Sequence, residues 1–503
     1  MTKKNKDRER NLLKLNAEDD TLDFGRLVAE NDEHLAQYYV SEQRYLRRAI
    51  DIEDPATFFV GPKGMGKSAI LKMVQLTKAG SECRVISIRP DDLAFSALAN
   101  VEATSPIIAE SAKNQWLFKA LWDYVLAMEV LRREFPNASE LSGWFTNIFR
   151  GQFEKEARKL ISMSQGEETS LTVRILQLVK EVELSGEYAG AKITGKAVLD
   201  KENAKSGEPL HLLSLVNSVA RKLRDNVKHS YYLLIDDLDL YWNDTPTQNA
   251  FLASLFTSLS HFSRPPRLKA IVALRENIYN SLPLVDRDKL HDVVIPVRWD
   301  FDSVRTIVEE RILFKLQVQR KEIWGGLFPE DAFKAIWKHS NGRPREAIRL
   351  ATVAAVTADT NGHKQITQHD METAIRDFSI ERLKEITGEF EYKYPGLERI
   401  VKKMNGGQKE FPLGTLKNIL EIIALEVDLN EPGADRYAWA RGYSEDPCAF
   451  ARLLLECGIL WVKLSRTDEA VPYDPSNPVE LTATRWFAVH PMFAPGLGLV
   501  GGA

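Results

Sequence analysis

The sequence predicts an α/β fold in which a parallel β-sheet carries helices on both faces and is followed by largely helical domains. One observation is a set of short apolar segments with the length of buried strands, at 57–60, 83–88, 231–236, 268–274 and 293–297. Helical patterns separate these segments, which is typical of parallel strands covered on both faces. In addition, a glycine-rich turn joins the first segment to a helix.

Length and composition describe a globular protein of several domains. At 503 residues the chain is too long for one hydrophobic core, and its 44% hydrophobic and 27% charged residues are ordinary. No apolar run approaches the roughly eighteen residues of a membrane helix, and the N-terminus lacks the apolar core of a signal peptide, so we expect a cytoplasmic protein without a membrane span. Cys83, Cys448 and Cys457 show no C-x-x-C spacing and no paired histidines, which argues against a zinc site or a disulfide framework.

Periodicity and composition divide the chain into predicted regions. They are a disordered basic tail at 1–23, a sheet domain at 24–90 and 229–298, a helical insertion at 91–228, a helical lid at 299–395 and a winged helix at 405–493. The sheet domain is expected to begin with an amphipathic helix over 24–54. The insertion is inferred because its length exceeds that of a crossover connection. The winged helix is inferred because two helices precede a hairpin.

The glycine-rich turn has the spacing G-x-x-x-x-G-K-S between a strand and a helix. Its glycines let the backbone curve around a phosphate with several N–H groups inward, and the helix offers its positive N-terminal end to the same anion. We therefore predict an ATP site formed by Gly61, Pro62, Lys63, Gly64, Met65, Gly66, Lys67, Ser68 and Ala69. Lys67 would reach the β- and γ-phosphates, and Ser68 would bind Mg²⁺. The alternative is a strand-to-helix turn with an incidental lysine.

The apolar segment that ends in Asp236-Asp237 has the form of a Walker B strand. Asp236 would hold the Mg²⁺ shell, Asp237 would orient or deprotonate the attacking water, and Asp239 could assist from behind. Many P-loop ATPases have glutamate where Asp237 stands, so the shorter side chain predicts slow turnover. The alternative is a strand that ends in a solvated acidic turn.

Two arginines are candidates to act on the γ-phosphate from within the chain. Arg275 ends the segment 268–274, which we expect to lie between the phosphate-loop strand and the Walker B strand, within reach of the γ-phosphate or the water. Arg345 starts a helix after Gly342 and could be delivered by a helical lid, with Arg343 as the second choice. The alternative for Arg275 is a surface arginine that caps a strand, and the alternative for Arg345 is a surface ion pair on the helix.

The chain resembles the AAA+ superfamily, closest to its origin-recognition or initiator-like clade. The resemblance is carried by the ordered set of phosphate loop, Ile235-Asp236-Asp237, Arg275, Gly342-Arg-Pro-Arg345 and winged helix. The chain is also similar to bacterial STAND-like P-loop ATPases, some of which act in antiviral defence. Both resemblances imply a nucleotide-gated switch in which hydrolysis reorients the lid. They also imply that Arg287 lies where ring-forming ATPases place the arginine that acts on a neighbouring subunit. The alternative for Arg287 is a solvated charge run.

Charge bears on the choice of partner. From 404 to 503, eight Lys or Arg stand against thirteen Asp or Glu, a net charge of −5. Because DNA binding depends on phosphate neutralisation, we expect the winged helix to contact protein, with DNA still possible through a local basic patch. The leading hypothesis is an ATPase that assembles as a homo-oligomer or on a protein partner. The alternatives are an ATP-gated DNA-binding initiator or regulator, and a nucleotide-binding scaffold with little hydrolysis.

Overall fold

The computed structural model divides the chain into two compact units. The residues that it describes are 11–16, 21–40, 44–80, 82–89, 115–135, 143–144, 209–240, 242–262, 267–473, 479–481 and 485–501. The sheet unit is Ser41–Arg298, and the helical unit combines Met1–Val40 with Trp299–Ala503. In this described part of the chain, no helix is both long and apolar enough to cross a membrane.

The secondary structure follows the predicted alternation of strands and helices. The strands are β1 Phe58–Gly61, β2 Cys83–Ile88, β3 Ser230–Ile235, β4 Leu268–Arg275, β5 Val294–Pro296, β6 Glu410–Pro412, β7 Leu460–Lys463 and β8 Trp486–Val489. Helix α1 Leu35–Tyr38 belongs to the helical unit. The helices of the sheet unit are α2 Arg44–Ile50, α3 Lys67–Lys78, α4 Trp116–Glu134, α5 Pro209–Asn226, α6 Pro246–Phe262 and α7 Glu276–Ser281. Those that follow are α8 Phe301–Lys315, α9 Arg320–Ile323, α10 Ala332–Ser340, α11 Pro344–Thr360, α12 Gln368–Glu389, α13 Leu397–Lys402, α14 Leu413–Asp428 and α15 Pro447–Glu456. Short 3-10 helices occupy Ala29–Asn31, Arg287–Leu290 and Ala434–Tyr443.

The sheet unit is built on a five-stranded sheet in the order β2-β3-β4-β1-β5. All of its neighbouring strands are parallel. The order places β4 between β1 and β3, as the sequence predicts, with Gly61 opposite Arg275 and Val272 opposite Ile235. The α/β fold of a P-loop protein with a helical lid is therefore confirmed. Because parallel strands end at one edge, the residues that follow β1 to β5 gather there.

Helices cover both faces of this sheet. Buried residues of β1 to β4 share one core with α4, α5 and α6, including a stack of Trp122 on Phe251 with ring centroids 4.7 Å apart. On the other face, Tyr232 donates from its hydroxyl to the carbonyl of Ile50 at 2.5 Å, which ties α2 to β3, and α2 packs on α3. The predicted insertion 91–228 thus contributes α4 and α5 to the sheet's own core. The rest of 91–228, apart from 143–144 and the end that leads into β3, lies outside the described residues.

The helical unit has a single core that runs from α8 to β8. The two helices and the hairpin that the sequence predicts within 405–493 appear as α14, α15, β7 and β8, and β6 completes an antiparallel sheet of order β6-β8-β7. The boundary predicted at 395–405 does not separate two cores. Gly496 explains this in part, because its N–H donates to the Ser379 hydroxyl of α12 at 2.8 Å.

The predicted organisation of the N-terminus is wrong in two respects. Residues 11–16 of the supposed disordered tail are ordered, and Leu15 pairs with Leu316 beyond the end of α8. Residues 24–40, predicted to open the sheet domain as a long helix, belong to the helical unit. Phe24 is 1% exposed, its carbonyl accepts from the Arg311 guanidinium at 3.0 Å, and Asp32 pairs with Arg311 at 3.2 Å. These tertiary contacts outweigh the helical pattern.

Candidate functional site

The phosphate loop connects β1 to α3 in the conformation that its spacing predicts. Gly64 and Gly66 have φ of +87° and +81°, a backbone region that residues with a Cβ adopt at a cost. Gly66 caps α3, whose first turn contains Lys67, Ser68 and Ala69. The N–H groups of a first turn have no partner inside their helix, so this end of α3 is suited to bind an anion.

Lys67 lies inside the loop. Its side chain is almost buried, at 9% exposure for the residue, and its ammonium donates to the carbonyls of Gly61 at 2.8 Å and Pro62 at 2.9 Å. Lys67, at the end of the loop, thereby binds the residues at its start, and the loop surrounds the lysine ammonium. The positive charge is thus already inside the loop before any anion binds.

Gly61 is required for a different reason from Gly64 and Gly66. A Cβ at this position would lie 2.9 Å from the carbonyl oxygen of Val297 and 3.6 Å from Nη1 of Arg298. Val297 cannot retreat easily, because its N–H donates to the carbonyl of Val60 at 2.7 Å. The phosphate loop therefore starts in close backbone contact with the residues that follow β5.

The acidic residues predicted as Walker B follow β3 at the same edge of the sheet. Asp236 accepts from the N–H of Asp237 at 2.9 Å, and Asp237 has φ of +59°, a left-handed conformation that aspartate tolerates better than most residues. One strand separates β3 from β1, so their axes are about 10 Å apart. The structure thus brings the phosphate loop and the two carboxylates to one edge.

Among the described residues, ion pairs run along this carboxyl edge. Arg89, after β2, lies 3.7 Å from the Asp237 carboxylate. Arg275, at the end of β4, pairs with Asp239 of the turn after β3. Glu276 pairs with Arg298, beyond the end of β5. We call these the carboxyl-edge pairs. Arg275 is the last residue of β4, the strand between β1 and β3.

The other two predicted arginines have different surroundings. Arg287 donates to the carbonyls of Tyr279, Asn280 and Leu282 at 3.0 to 3.2 Å, and its guanidinium lies 4.9 Å from the centre of the Tyr279 ring. It thereby caps the C-terminal end of α7 within its own chain. Arg345 is in the first turn of α11 in the helical unit, after the left-handed Gly342.

A buried lysine supports the site from the far end of the sheet. Lys269, 2% exposed, donates to the carbonyl of Arg48 at 3.3 Å and to that of Asp54, and so caps the end of α2. Burial lowers the pKa of Lys269 to about 8, against the opposing effect of the Asp54 carboxylate. Through α2, which packs on α3, this capping helps to fix the helix that follows the phosphate loop.

The side chains at the edge fit the group that the sequence predicts. The Ser68 hydroxyl and the Asp236 carboxylate are hard oxygen donors of the kind that Mg²⁺ prefers, and few protein ligands are needed because this ion keeps several waters. Within the described ranges, no three or more His, Cys, Asp or Glu side chains cluster as a metal site of their own. A cation at this edge would take some of its ligands from these side chains and others from a bound phosphate.

Some residues that form the carboxyl edge of the sheet, or hold it in place, were not predicted from the sequence. Arg89, Glu276, Arg298 and Tyr45, which holds Arg298 through its hydroxyl, have no motif around them. Their common signal is position, since the first three follow the ends of predicted strands. Without the strand order, that signal does not say which charges meet.

Several known proteins are similar to this chain. Residues 302–387 match the family model of the FunZ-associated C-terminal helical domain. A putative transposon gamma-delta 80.3 kDa protein of Escherichia coli is 23% identical over 447 residues, which are 84% of this chain and 59% of that protein. The chain therefore spans less than two thirds of the length of this curated relative.

Solved structures are similar at the level of overall arrangement. The ORC2 protein of Aeropyrum pernix in ADPNP-ADP complexes shares 13% identity and a TM-score of 0.39, with 93% of this chain and 97% of that chain covered. The ORC1 protein of the same organism, in complex with DNA, shares 11% identity and a TM-score of 0.38, with coverages of 92% and 93%.

Proposed function

We propose that the chain is a Mg²⁺-dependent ATPase of the AAA+ or STAND type that couples its nucleotide state to movement of the helical lid. The observation that carries the proposal is the meeting, at one sheet edge, of the preformed phosphate loop, the Asp236-Asp237 turn and Arg275. A binding scaffold would need only the first of these. Hydrolysis needs a carboxylate near the water and a cation near the developing charge.

In this proposal each residue has one task. Lys67 exchanges its two loop carbonyls for the β- and γ-phosphate oxygens, and the N–H groups at the start of α3 bind the same phosphates. Ser68 and Asp236 hold Mg²⁺, which would neutralise charge on the phosphates. Asp237 orients the attacking water and accepts its proton, and Arg275 stabilises charge on the γ-phosphate.

The ion pairs of the edge suggest how the site is kept ready. Arg89 forms an ion pair with the Asp237 carboxylate at 3.7 Å. Arg275 is held by Asp239, so it must be released or shared when phosphate arrives. These exchanges, with the short Asp237 side chain, favour slow turnover and a switch rather than a fast motor.

The roles of Arg345 and Arg287 are assigned differently. Arg345, at the positive start of α11, is proposed to reach the γ-phosphate from the lid and to report its loss. Arg287 is proposed as a trans-acting arginine only if assembly frees it from the α7 carbonyls that it now caps. ATP-dependent assembly as a homo-oligomer is part of the proposal.

Hydrolysis of ATP with Mg²⁺ by purified full-length protein tests the proposal. We expect Lys67→Ala to abolish both binding and hydrolysis, and Asp237→Ala to bind ATP but lose most turnover. Lys72→Ala is the matched control, because it removes a lysine from the same helix beyond its first turn. Absence of ATP binding by the unmodified protein in equilibrium dialysis would exclude the proposal.

For the C-terminal region we propose a winged helix that contacts protein rather than DNA. In α15, the helix that precedes the hairpin, Arg452 and Glu456 are exposed and every other residue is buried or half-buried. One arginine beside one glutamate does not give the helix a cationic face for a phosphate backbone. Ile422 and Leu425 of α14 and its C-cap residue Leu429 are 46%, 58% and 63% exposed, and they lie on one side of the helix. Titration with duplex DNA at two salt concentrations tests this, and strong salt-dependent binding would favour the DNA-binding alternative.

A further inference from the structure

The Glu276 and Arg298 pair spans the start of the phosphate loop. Glu276 follows β4 and Arg298 follows β5, and the sheet order β4-β1-β5 puts the end of β1 between them. Arg298 Nη1 would lie 3.6 Å from a Cβ placed on Gly61, the last residue of β1. The ion pair therefore passes over the point where β1 becomes the phosphate loop.

The backbone of Arg298 is held in place from below. The Tyr45 hydroxyl of α2, a residue 2% exposed, donates to the Arg298 carbonyl at 2.6 Å and accepts from the Arg298 N–H at 2.9 Å. Nη1 of the guanidinium also donates to the Val297 carbonyl at 3.1 Å. Because the Arg298 backbone and its guanidinium are both held by hydrogen bonds, the side chain has a defined direction toward Glu276.

Glu276 transmits this position to Arg275. Arg275 is the N-cap of α7 and Glu276 is the first residue of that helix. One side chain is held by Asp239 of the β3 turn and the other by Arg298 beyond β5. The start of α7 is thus held from both sides, and loss of either pair would let it turn.

The exposure of the pair indicates that stability is not its main effect. The side chains of Arg298 and Glu276 are 47% and 35% exposed, and pairs that open to water add little to folding. The location of the pair matters more than its contribution to folding. Without Arg298, the negative charge of Glu276 would be uncompensated next to a site that binds an anion. The pair therefore affects the site more than the fold.

We propose that Arg298 is a positioning residue for ATP hydrolysis. It acts through Glu276, whose charge it neutralises, and through the start of α7, where Arg275 is the N-cap and is kept in place for its exchange from Asp239 to phosphate. This inference rests on the proposed ATPase function. It assigns a role to a residue that lies outside the phosphate loop, the acidic turn and the arginines predicted from the sequence.

Steady-state kinetics of Arg298→Gln, Glu276→Gln and the double variant test the proposal in full-length protein. We expect Arg298→Gln to raise KM and to lower kcat, each by about fivefold, which corresponds to about 1 kcal/mol in each constant. In the double variant no lone carboxylate remains, so KM should return to within about twofold of the unmodified protein while kcat stays low. The melting temperature should change little in all three.

Lys289→Gln is the matched control, since Lys289 also forms a surface ion pair, with Asp286, but lies before β5 at the opposite edge. It should leave both constants unchanged. Unchanged kcat and KM in Arg298→Gln, or a loss that follows the melting temperature and is not relieved in the double variant, overturns the inference. If Lys67→Ala still abolishes hydrolysis in that case, the ATPase proposal stands alone. An unmodified protein that does not hydrolyse ATP removes both.

Discussion

Substitution of Gly61 tests whether the phosphate loop depends on close backbone packing or only on glycine's freedom of conformation. A Cβ at Gly61 would lie 2.9 Å from the Val297 carbonyl oxygen, well inside an ordinary contact. At Gly66 a Cβ would meet nothing within 4 Å, but φ is +81°. The first glycine avoids a collision, and the second permits a left-handed backbone.

The two costs can be compared from these distances. Relief of the collision requires a shift of about 0.5 Å in residues that Val60 and Tyr45 hold by hydrogen bonds, and overpacking of this kind costs about 1–3 kcal/mol. Alanine in the left-handed region costs about 1–2 kcal/mol. Since 1.4 kcal/mol is tenfold in affinity, each alanine variant should bind ATP about tenfold more weakly.

Asparagine separates the two causes. It adopts the left-handed conformation more readily than alanine, so Gly66→Asn should bind ATP better than Gly66→Ala. At Gly61 the larger side chain worsens the collision, so Gly61→Asn should bind worse than Gly61→Ala. Titration with a fluorescent ATP analogue, with urea denaturation alongside, measures both orders. The same order of Ala and Asn at the two positions would refute the packing argument for Gly61.

Two further predictions concern the helical unit. Burial lowers the pKa of His339, whose Nδ1 donates to the Pro491 carbonyl at 2.9 Å, to about 4 from 6.5. Below pH 6.5 the unfolded chain therefore binds a proton that the folded chain does not, and the free energy of unfolding should fall by up to about 2 kcal/mol between pH 7 and 5 because of this histidine. His339→Asn keeps a hydrogen-bond donor but does not titrate, so its free energy of unfolding, measured by urea denaturation, should fall less over the same pH range. An equal fall would contradict the assignment to His339. Arg382 and Glu346, both 3% exposed, pair at 3.3 Å. Arg382→Met should destabilise by about 3 kcal/mol because it strands a buried carboxylate, and Arg382→Met with Glu346→Leu should recover most of the loss; a double variant as unstable as the single would count against the pair.

The sequence was sufficient where the signal is local. The strand, glycine spacing, lysine and helix of the phosphate loop are contiguous, so their chemistry and their conformation could be predicted together. The Asp236-Asp237 turn was predicted for the same reason, because an apolar strand precedes it directly. Even the position of β4 between β1 and β3 followed from the motif order.

Signals that depend on distant partners were missed or misread. The helical pattern over 24–54 predicts one amphipathic helix, but Phe24 and Asp32 bind Arg311 of α8 instead. β6 has only three residues and is defined by its pairing with β8. The segment containing α4 and α5 was predicted to be an insertion, because the sequence does not show that the apolar residues of these helices pack on the assembled sheet.

The residues themselves determined that this chain has a glycine-rich loop of phosphate-binding spacing and, further along, two carboxylates directly after an apolar strand. Periodicity and spacing encode such features, since they reflect backbone conformation over a few positions. Tertiary structure alone decided which charges meet at the edge: Arg89 with Asp237, Arg275 with Asp239, and Arg298 with Glu276 across the end of β1. Ion pairs form between neighbours in space, and strand order, which brings residue 276 next to residue 298, is set by packing of the whole sheet.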